Sequence, residues 1–121
     1  MVKVKILIVD DEIDYCILMQ SYFEEKNYEV FLAYTLAEGM EIMKNEKPDI
    51  IFLDNNLPDG EGWLKTDDIF SILPKVKLNL ISGYKIPSDF KKENDNILIW
   101  EKPLSMEKLD KVFTDGFYAT Q

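Results

Sequence analysis

The stretch Asp49-Ile50-Ile51-Phe52-Leu53-Asp54-Asn55 decides the fold of this chain. Four consecutive bulky apolar residues stand between two acids, just after Pro48. A run this short, enriched in β-branched and aromatic residues, reads as a strand rather than a helix. Apolar side chains at successive positions point to both faces of a sheet, so both faces must be covered. That is the signature of a parallel sheet layered between helices. The strand ends on a carboxylate, Asp54, where an open parallel sheet places its ligands.

Toward the N-terminus the pattern repeats. Lys3 to Val9 reads as a buried strand that ends on Asp10-Asp11-Glu12. Ile13 to Lys26 reads as a helix with Cys16, Ile17 and Phe23 inward, and Glu29 to Ala33 as the second strand. Thr35-Leu36-Ala37-Glu38 has the form of a capping box. A helix should follow through Lys44, with Leu36, Met40 and Met43 inward. Toward the C-terminus, residues 55–62 read as a loop containing Pro58, Gly60 and Gly62, followed by a helix to about Leu73. Leu78 to Ile81 and Ile97 to Trp100 are the fourth and fifth strands. A short helix is expected over residues 88–93, and Ser105 should cap a last helix that fades near Gly116, with the residues from Thr114 onward loosely held. Five alternations of strand and helix predict one three-layer α/β/α domain.

Composition narrows the chemistry. With 121 residues the chain has the length of one domain, and 46% apolar residues suffice for a core. The net charge of −9 repels phosphate backbones, which argues against direct nucleic-acid binding. The cations are all Lys, and there is no His to serve as a general base or metal ligand. The single Cys16 cannot form an internal disulfide and fits a reduced, cytoplasmic setting. No segment approaches the roughly 20 apolar residues of a membrane helix.

The strand ends gather the chemistry-bearing residues. Strand one ends in Asp10 and Asp11, strand three in Asp54, strand four in Ser82 and strand five near Lys102. Two unit charges 4 Å apart repel by about 4 kcal/mol at an effective dielectric near 20, so three carboxylates need cations. Lys102 supplies one charge. An oxygen-ligated dication, Mg²⁺ or Mn²⁺ in its place, would supply the rest. An ionised Asp in such a pocket can attack phosphorus without a general base. The cations can neutralise the transferring phosphoryl group, and the Ser82 hydroxyl can donate to it. Each residue alone has a plainer reading: Asp11 as a helix cap, Asp54 as a turn former, Ser82 and Lys102 as surface groups. Their convergence at one rim favours the joint reading.

These residues resemble those of the response-regulator receiver domain of bacterial two-component signalling. The resemblance spans essentially the whole chain. It rests on Ile8-Val9-Asp10-Asp11-Glu12, Leu53-Asp54-Asn55-Asn56-Leu57-Pro58-Asp59-Gly60, Ile81-Ser82-Gly83-Tyr84 and Glu101-Lys102-Pro103-Leu104. It implies a flavodoxin-like doubly wound sheet in the order 2-1-3-4-5, and a receiver over residues 1–121 without an output domain. It makes Asp54 the phosphoacceptor, served by a sensor histidine kinase or phosphotransfer protein. Asp11, Asp54 and the Asn56 carbonyl would bind Mg²⁺, with Asp10 acting mainly through water. Lys102 would pair with the phosphoryl group, and Ser82 would move toward it. Asn56 and Tyr84 would tune hydrolysis, and the Lys102-Pro103 bond would be cis. The output would reach a downstream protein target or a fused effector, with homodimerisation through the last helices open. No enzymatic role beyond the domain's own phosphorylation and dephosphorylation is implied.

Two features depart from the family. Its usual aromatic switch residue, three positions before the Lys, is Ile99 here. Trp100 is adjacent but on the opposite strand face, which reads as core packing. The segment from Ser82 to Lys102 is short and contains Pro87, so its helix should be stunted and the output face altered. These departures keep a pseudo-receiver, a binding module that does not use phosphate, as the alternative. A flavin binder of the same architecture would need a phosphate-cradling first loop, where this chain has Asp10-Asp11-Glu12. A phosphatase with its nucleophile after strand one would show Asp-x-Asp, and the third position is Glu12.

Overall fold

Short, mainly apolar runs build the sheet. A computed structural model describes residues 3–83 and 95–115. Strands β1 (Lys5–Val9), β2 (Glu29–Ala33) and β3 (Ile50–Asp54) pair in parallel, with Ile8 opposite both Leu32 and Phe52. Two short strands, β4 (Asn56–Leu57) and β5 (Gly60–Glu61), form an antiparallel hairpin. Strands β6 (Lys77–Ser82) and β7 (Ile97–Glu101) complete the main sheet, whose order is β2-β1-β3-β6-β7. Leaving the hairpin aside, this is the expected doubly wound order 2-1-3-4-5.

The strand residues sort their side chains into two cores. On one face Leu7, Val9, Ile51, Leu53, Leu78 and Leu80 pack with helices α2 (Leu36–Glu46) and α3 (Thr66–Ile72) through Leu36, Met43 and Ile69. On the other, Ile6, Ile8, Ile50, Phe52 and Ile81 meet α1 (Ile13–Glu25) and α4 (Met106–Asp115) through Cys16, Met19, Phe23, Leu109 and Phe113. Phe23 and Phe113, from the two helices, are 5.1 Å apart between ring centroids. Each large side chain buried this way contributes about 1.5–3 kcal/mol. The result is three layers, as the strand pattern requires.

The helix ends follow their side-chain chemistry, with one tertiary addition. The Thr35 hydroxyl accepts from the Glu38 N–H at 3.1 Å, as a capping box should. Glu38 reaches back one residue further than the standard box, accepting from the Tyr34 N–H at 3.3 Å. The Asp59 carboxylate, at the tip of the hairpin, accepts from the N–H groups of Leu36 (2.7 Å) and Ala37 (2.9 Å). These bonds hold its pKa below the ordinary value. The loop after Asp54 is thereby fastened to the start of α2. Ser105 caps α4 by accepting from the Lys108 N–H at 3.1 Å.

Several expectations need correction. Ile17 is not inward; it is 50% exposed, with Ile13 at 55%. Cys16, Met19 and Phe23 set the buried face of α1, and Ile13 and Ile17 stack one turn apart outside it. Met40 does face inward as expected, half-buried against the α2–α3 core. Residues 55–62 are not an irregular loop, since the hairpin organises them. The helix after them opens with a 3₁₀ turn, Gly62–Lys65. The expected helix over residues 88–93, Tyr84 and the residues after 115 lie outside the described residues. Trp100 is in the core, opposite Ile99, as expected.

Candidate functional site

The parallel register brings the strand ends to one rim. Asp54 closes β3 beside Ile81 of β6, and Ser82 closes β6 beside Glu101 of β7. Asp10 follows β1, its N–H donating to the Ala33 carbonyl at 3.0 Å. Asp10, Asp54 and Ser82 are all buried, whereas Asp11 and Asn56 face solvent.

The two buried acids are held differently. The Glu12 N–H donates to Asp10 Oδ1 at 2.9 Å, and the Cys16 thiol donates to the Asp10 carbonyl at 3.3 Å. Asp10 is thus tied to the first turn of α1. Asp54 is shaped by the segment after it. The Asn55 N–H donates to the Ile81 carbonyl at 3.1 Å, and the Asn55 side chain accepts from the Trp63 N–H at 3.1 Å. Gly62 donates to the Asn55 carbonyl at 3.0 Å. A Cβ on Gly62 would strike the carbonyl oxygen of Asp54 and the Leu53 side chain. Gly62→Ala should therefore lower stability by about 1–3 kcal/mol in a urea titration and displace the Asp54 backbone. An unchanged transition would show that the hairpin gives way freely.

Among the described residues, Lys102 is the cation of the site. Its Nζ lies 3.3 Å from Asp10 Oδ2, 3.5 Å from Asp54 Oδ2 and 3.1 Å from Glu12 Oε1. Burial alone would lower its pKa, but these carboxylates outweigh it and hold the ammonium above the ordinary value. The Lys102 N–H donates to the Ser82 carbonyl at 2.8 Å, and the Lys102–Pro103 peptide is cis, as the sequence resemblance implies.

The carboxylates outnumber that one charge. Burial, and then the charge of Asp10, push Asp54 up to about 6 despite Lys102. Asp10 is also raised, chiefly by burial. Asp54 Oδ1 is buried and accepts no hydrogen bond among the described residues. One oxygen each from Asp10, Asp11 and Asp54 lies within 4.8 Å of the others. A set of hard oxygens with one orphaned and an exposed member open to water fits a divalent cation of the Mg²⁺ type.

Asp10, Asp11, Asp54, Ser82 and Lys102, named from sequence, meet at this rim, with Asn56 on the adjoining hairpin. Ile99 is half-buried on the α2–α3 side of the sheet, behind the rim. Sequence reasoning missed three participants. Glu12 shares Lys102, Asn55 locks the hairpin, and Tyr15 on α1 has its ring 5.9 Å from the Lys102 ammonium. The Asn next to Asp54 and the Tyr four residues after Asp11 were the available signals.

Known proteins share this sequence pattern and fold. The model of the response regulator receiver domain matches residues 6–114. Transcriptional regulatory protein YxdJ of Bacillus subtilis is 32% identical over 85% of this chain and 45% of its own length. Sporulation initiation phosphotransferase F of the same organism is 36% identical over 51% of this chain and 50% of its own. The matches thus span about half the length of these curated relatives. A receiver domain structure from Methanospirillum hungatei superimposes with a TM-score of 0.79 at 26% identity, covering 94% of this chain and 93% of that one. A two-component response regulator from Clostridium difficile gives 0.77 at 26% identity, over 93% of each chain. The family match and the fold coincide, and the chain belongs to the response regulator receiver domains of two-component signalling.

Proposed function

We propose that Asp54 is the phosphoacceptor of this receiver. The observation that carries it is a buried Asp54 carboxylate with one oxygen 3.5 Å from an ammonium and the other accepting no hydrogen bond among the described residues. An Asp54 oxygen attacks phosphorus and forms the new O–P bond. The P–N bond of a donor phosphohistidine breaks, and its electron pair stays on the imidazole. No general base is needed, because the nucleophile is already a carboxylate. Lys102 stabilises negative charge on the phosphoryl oxygens, and the Ser82 hydroxyl donates to one of them. Asp10, Asp11, Asp54 and the Asn56 carbonyl would hold Mg²⁺, or Mn²⁺ in its place. Bound there, the dication would offset the charge of the carboxylates and the phosphoryl group.

The donor in this reading is a sensor histidine kinase or phosphotransfer protein, and a downstream protein or fused effector reads the altered surface. The chain's own chemistry is then confined to its acyl phosphate, in a cytoplasmic setting. Among the described residues, no helix is long and apolar enough to cross a membrane. The role of Ser82 with Ile99 as a switch, and of Asn56 and Tyr84 in tuning hydrolysis, belongs to the same proposal. Incubation with acetyl phosphate and Mg²⁺ tests it by intact mass. The wild type should gain one phosphoryl group and Asp54→Ala none. No gain in the wild type, or an equal gain in Asp54→Ala, would leave the pseudo-receiver as the better reading.

A further inference from the structure

Lys102 has an aromatic neighbour that comes from α1. Its Nζ lies over the Tyr15 ring, 5.9 Å from the centroid. Tyr15 is half-buried against the α1–α4 core, so packing holds its ring in place. Its hydroxyl is buried and makes no hydrogen bond among the described residues. What the side chain contributes to the pocket is therefore its ring. The Lys102 ammonium is contested by Glu12, Asp10 and Asp54. Glu12 is the exposed member of these three, and its pull draws the ammonium outward, away from the phosphoacceptor. A ring face attracts a cation and walls off one direction of escape.

We propose that Tyr15 is a positioning residue for Lys102, and that its ring keeps the ammonium over the buried acids against the pull of Glu12. This rests on the reading of Asp54 as phosphoacceptor and Lys102 as its charge partner. It also supplies the pocket with an aromatic wall from α1, whereas β7 offers only Ile99 at the position where related domains carry their aromatic residue. The Tyr15 side chain touches neither nucleophile nor donor in this scheme. It acts through Lys102 alone.

The test compares Tyr15→Phe and Tyr15→Leu with wild type in phosphorylation by acetyl phosphate at saturating Mg²⁺. The Lys102 side-chain methylene signals are followed by NMR. Tyr15→Phe keeps the ring and removes an unpartnered buried hydroxyl, so it should match the wild-type rate and melt no lower. Tyr15→Leu should lower the maximal rate by about 3- to 10-fold, the size expected for loss of a cation–ring contact. Its Mg²⁺ affinity should rise slightly rather than fall, because an ammonium drawn toward Glu12 competes less at Asp10 and Asp54, and the upfield ring-current shift of the Lys102 ε-methylene should vanish. Tyr15→Met, which fills the space with a flexible thioether, serves if Tyr15→Leu folds poorly, and the same loss is expected of it. A wild-type rate in the ringless variants, or a Lys102 signal that stays at its wild-type position in them, would overturn the role of Tyr15. So would an equal loss in Tyr15→Phe, which would assign the effect to the hydroxyl. A wild type that takes up no phosphoryl group would instead overturn the assignment of Asp54, whatever the Lys102 signals show.

Discussion

Lys102→Met is expected to slow phosphorylation of Asp54 by about two to three orders of magnitude while tightening Mg²⁺ binding. The two effects have opposite signs because one ammonium performs two tasks. In the transfer it faces charge developing on the phosphoryl oxygens, and removal of one such preorganised group typically costs 10²–10³ in rate. Before the transfer it competes with the metal, since its Nζ lies 3.3 Å and 3.5 Å from oxygens of Asp10 and Asp54. A positive charge that shares two of the dication's carboxylates opposes it by several kcal/mol even at an effective dielectric near 20. After relaxation, a gain of about tenfold in Mg²⁺ affinity is expected. Calorimetric titration and single-turnover phosphorylation by acetyl phosphate measure the two quantities on the same sample. Methionine keeps much of the unbranched stem, so packing beside Tyr15 changes little. A parallel loss of both rate and metal affinity would show that Lys102 only supports the pocket's shape.

Asp54→Asn should stabilise the metal-free protein at neutral pH. Burial and the Asp10 charge raise the Asp54 carboxyl from 3.8 to about 6. The folded state thus binds this proton more tightly than the unfolded chain. Stability associated with the protonated acid is present below about pH 4 and is lost as pH rises through about 6. A shift of this size corresponds to roughly 3 kcal/mol, an upper figure because Asp10 titrates with it and Lys102 favours its charged form. Asparagine has a similar shape and carries no charge to desolvate. Urea titrations in a metal chelator should show Asp54→Asn more stable by about 1–3 kcal/mol at pH 7, with the gain closing toward pH 4. Added Mg²⁺ should narrow the gap at pH 7 from the wild-type side, because ligand binding stabilises only the state that binds it. Equal stability at both pH values would mean that the carboxylate is better solvated than its burial implies.

The fold was legible because its strands are nearly pure aliphatic runs, which leave no alternative to a sheet covered on both faces. The site was legible for a related reason. Parallel strands share one rim, so residues at matching strand ends must meet there, however far apart they are in the chain. What escaped notice depends on tertiary encounters. Ile17 was misplaced because α1 carries apolar residues around much of its circumference, and periodicity alone cannot choose its buried face. The Asp59 cap on α2 exists only once the hairpin arrives. Asn79 interrupts the run Leu78 to Ile81 as an apparent flaw. It is fully buried, yet its side chain accepts from the Trp100 indole at 2.9 Å and donates to the Ile51 carbonyl at 3.2 Å. Such a pair satisfies both partners inside the core, where an unpaired amide would cost about 1–3 kcal/mol. Glu12 was quoted for its place beside the Asp pair, but its claim on Lys102 required the geometry of the last loop.

The placement of the acyl phosphate tests the central claim most directly. Borohydride reduces an aspartyl phosphate to homoserine, which marks the modified residue permanently. Peptide mass spectrometry after treatment with acetyl phosphate, Mg²⁺ and then borohydride should find homoserine at position 54 and aspartate at positions 10 and 11. Homoserine at either of the other two, or unmodified aspartate at all three in a protein that is folded and metal-loaded, would contradict the assignment.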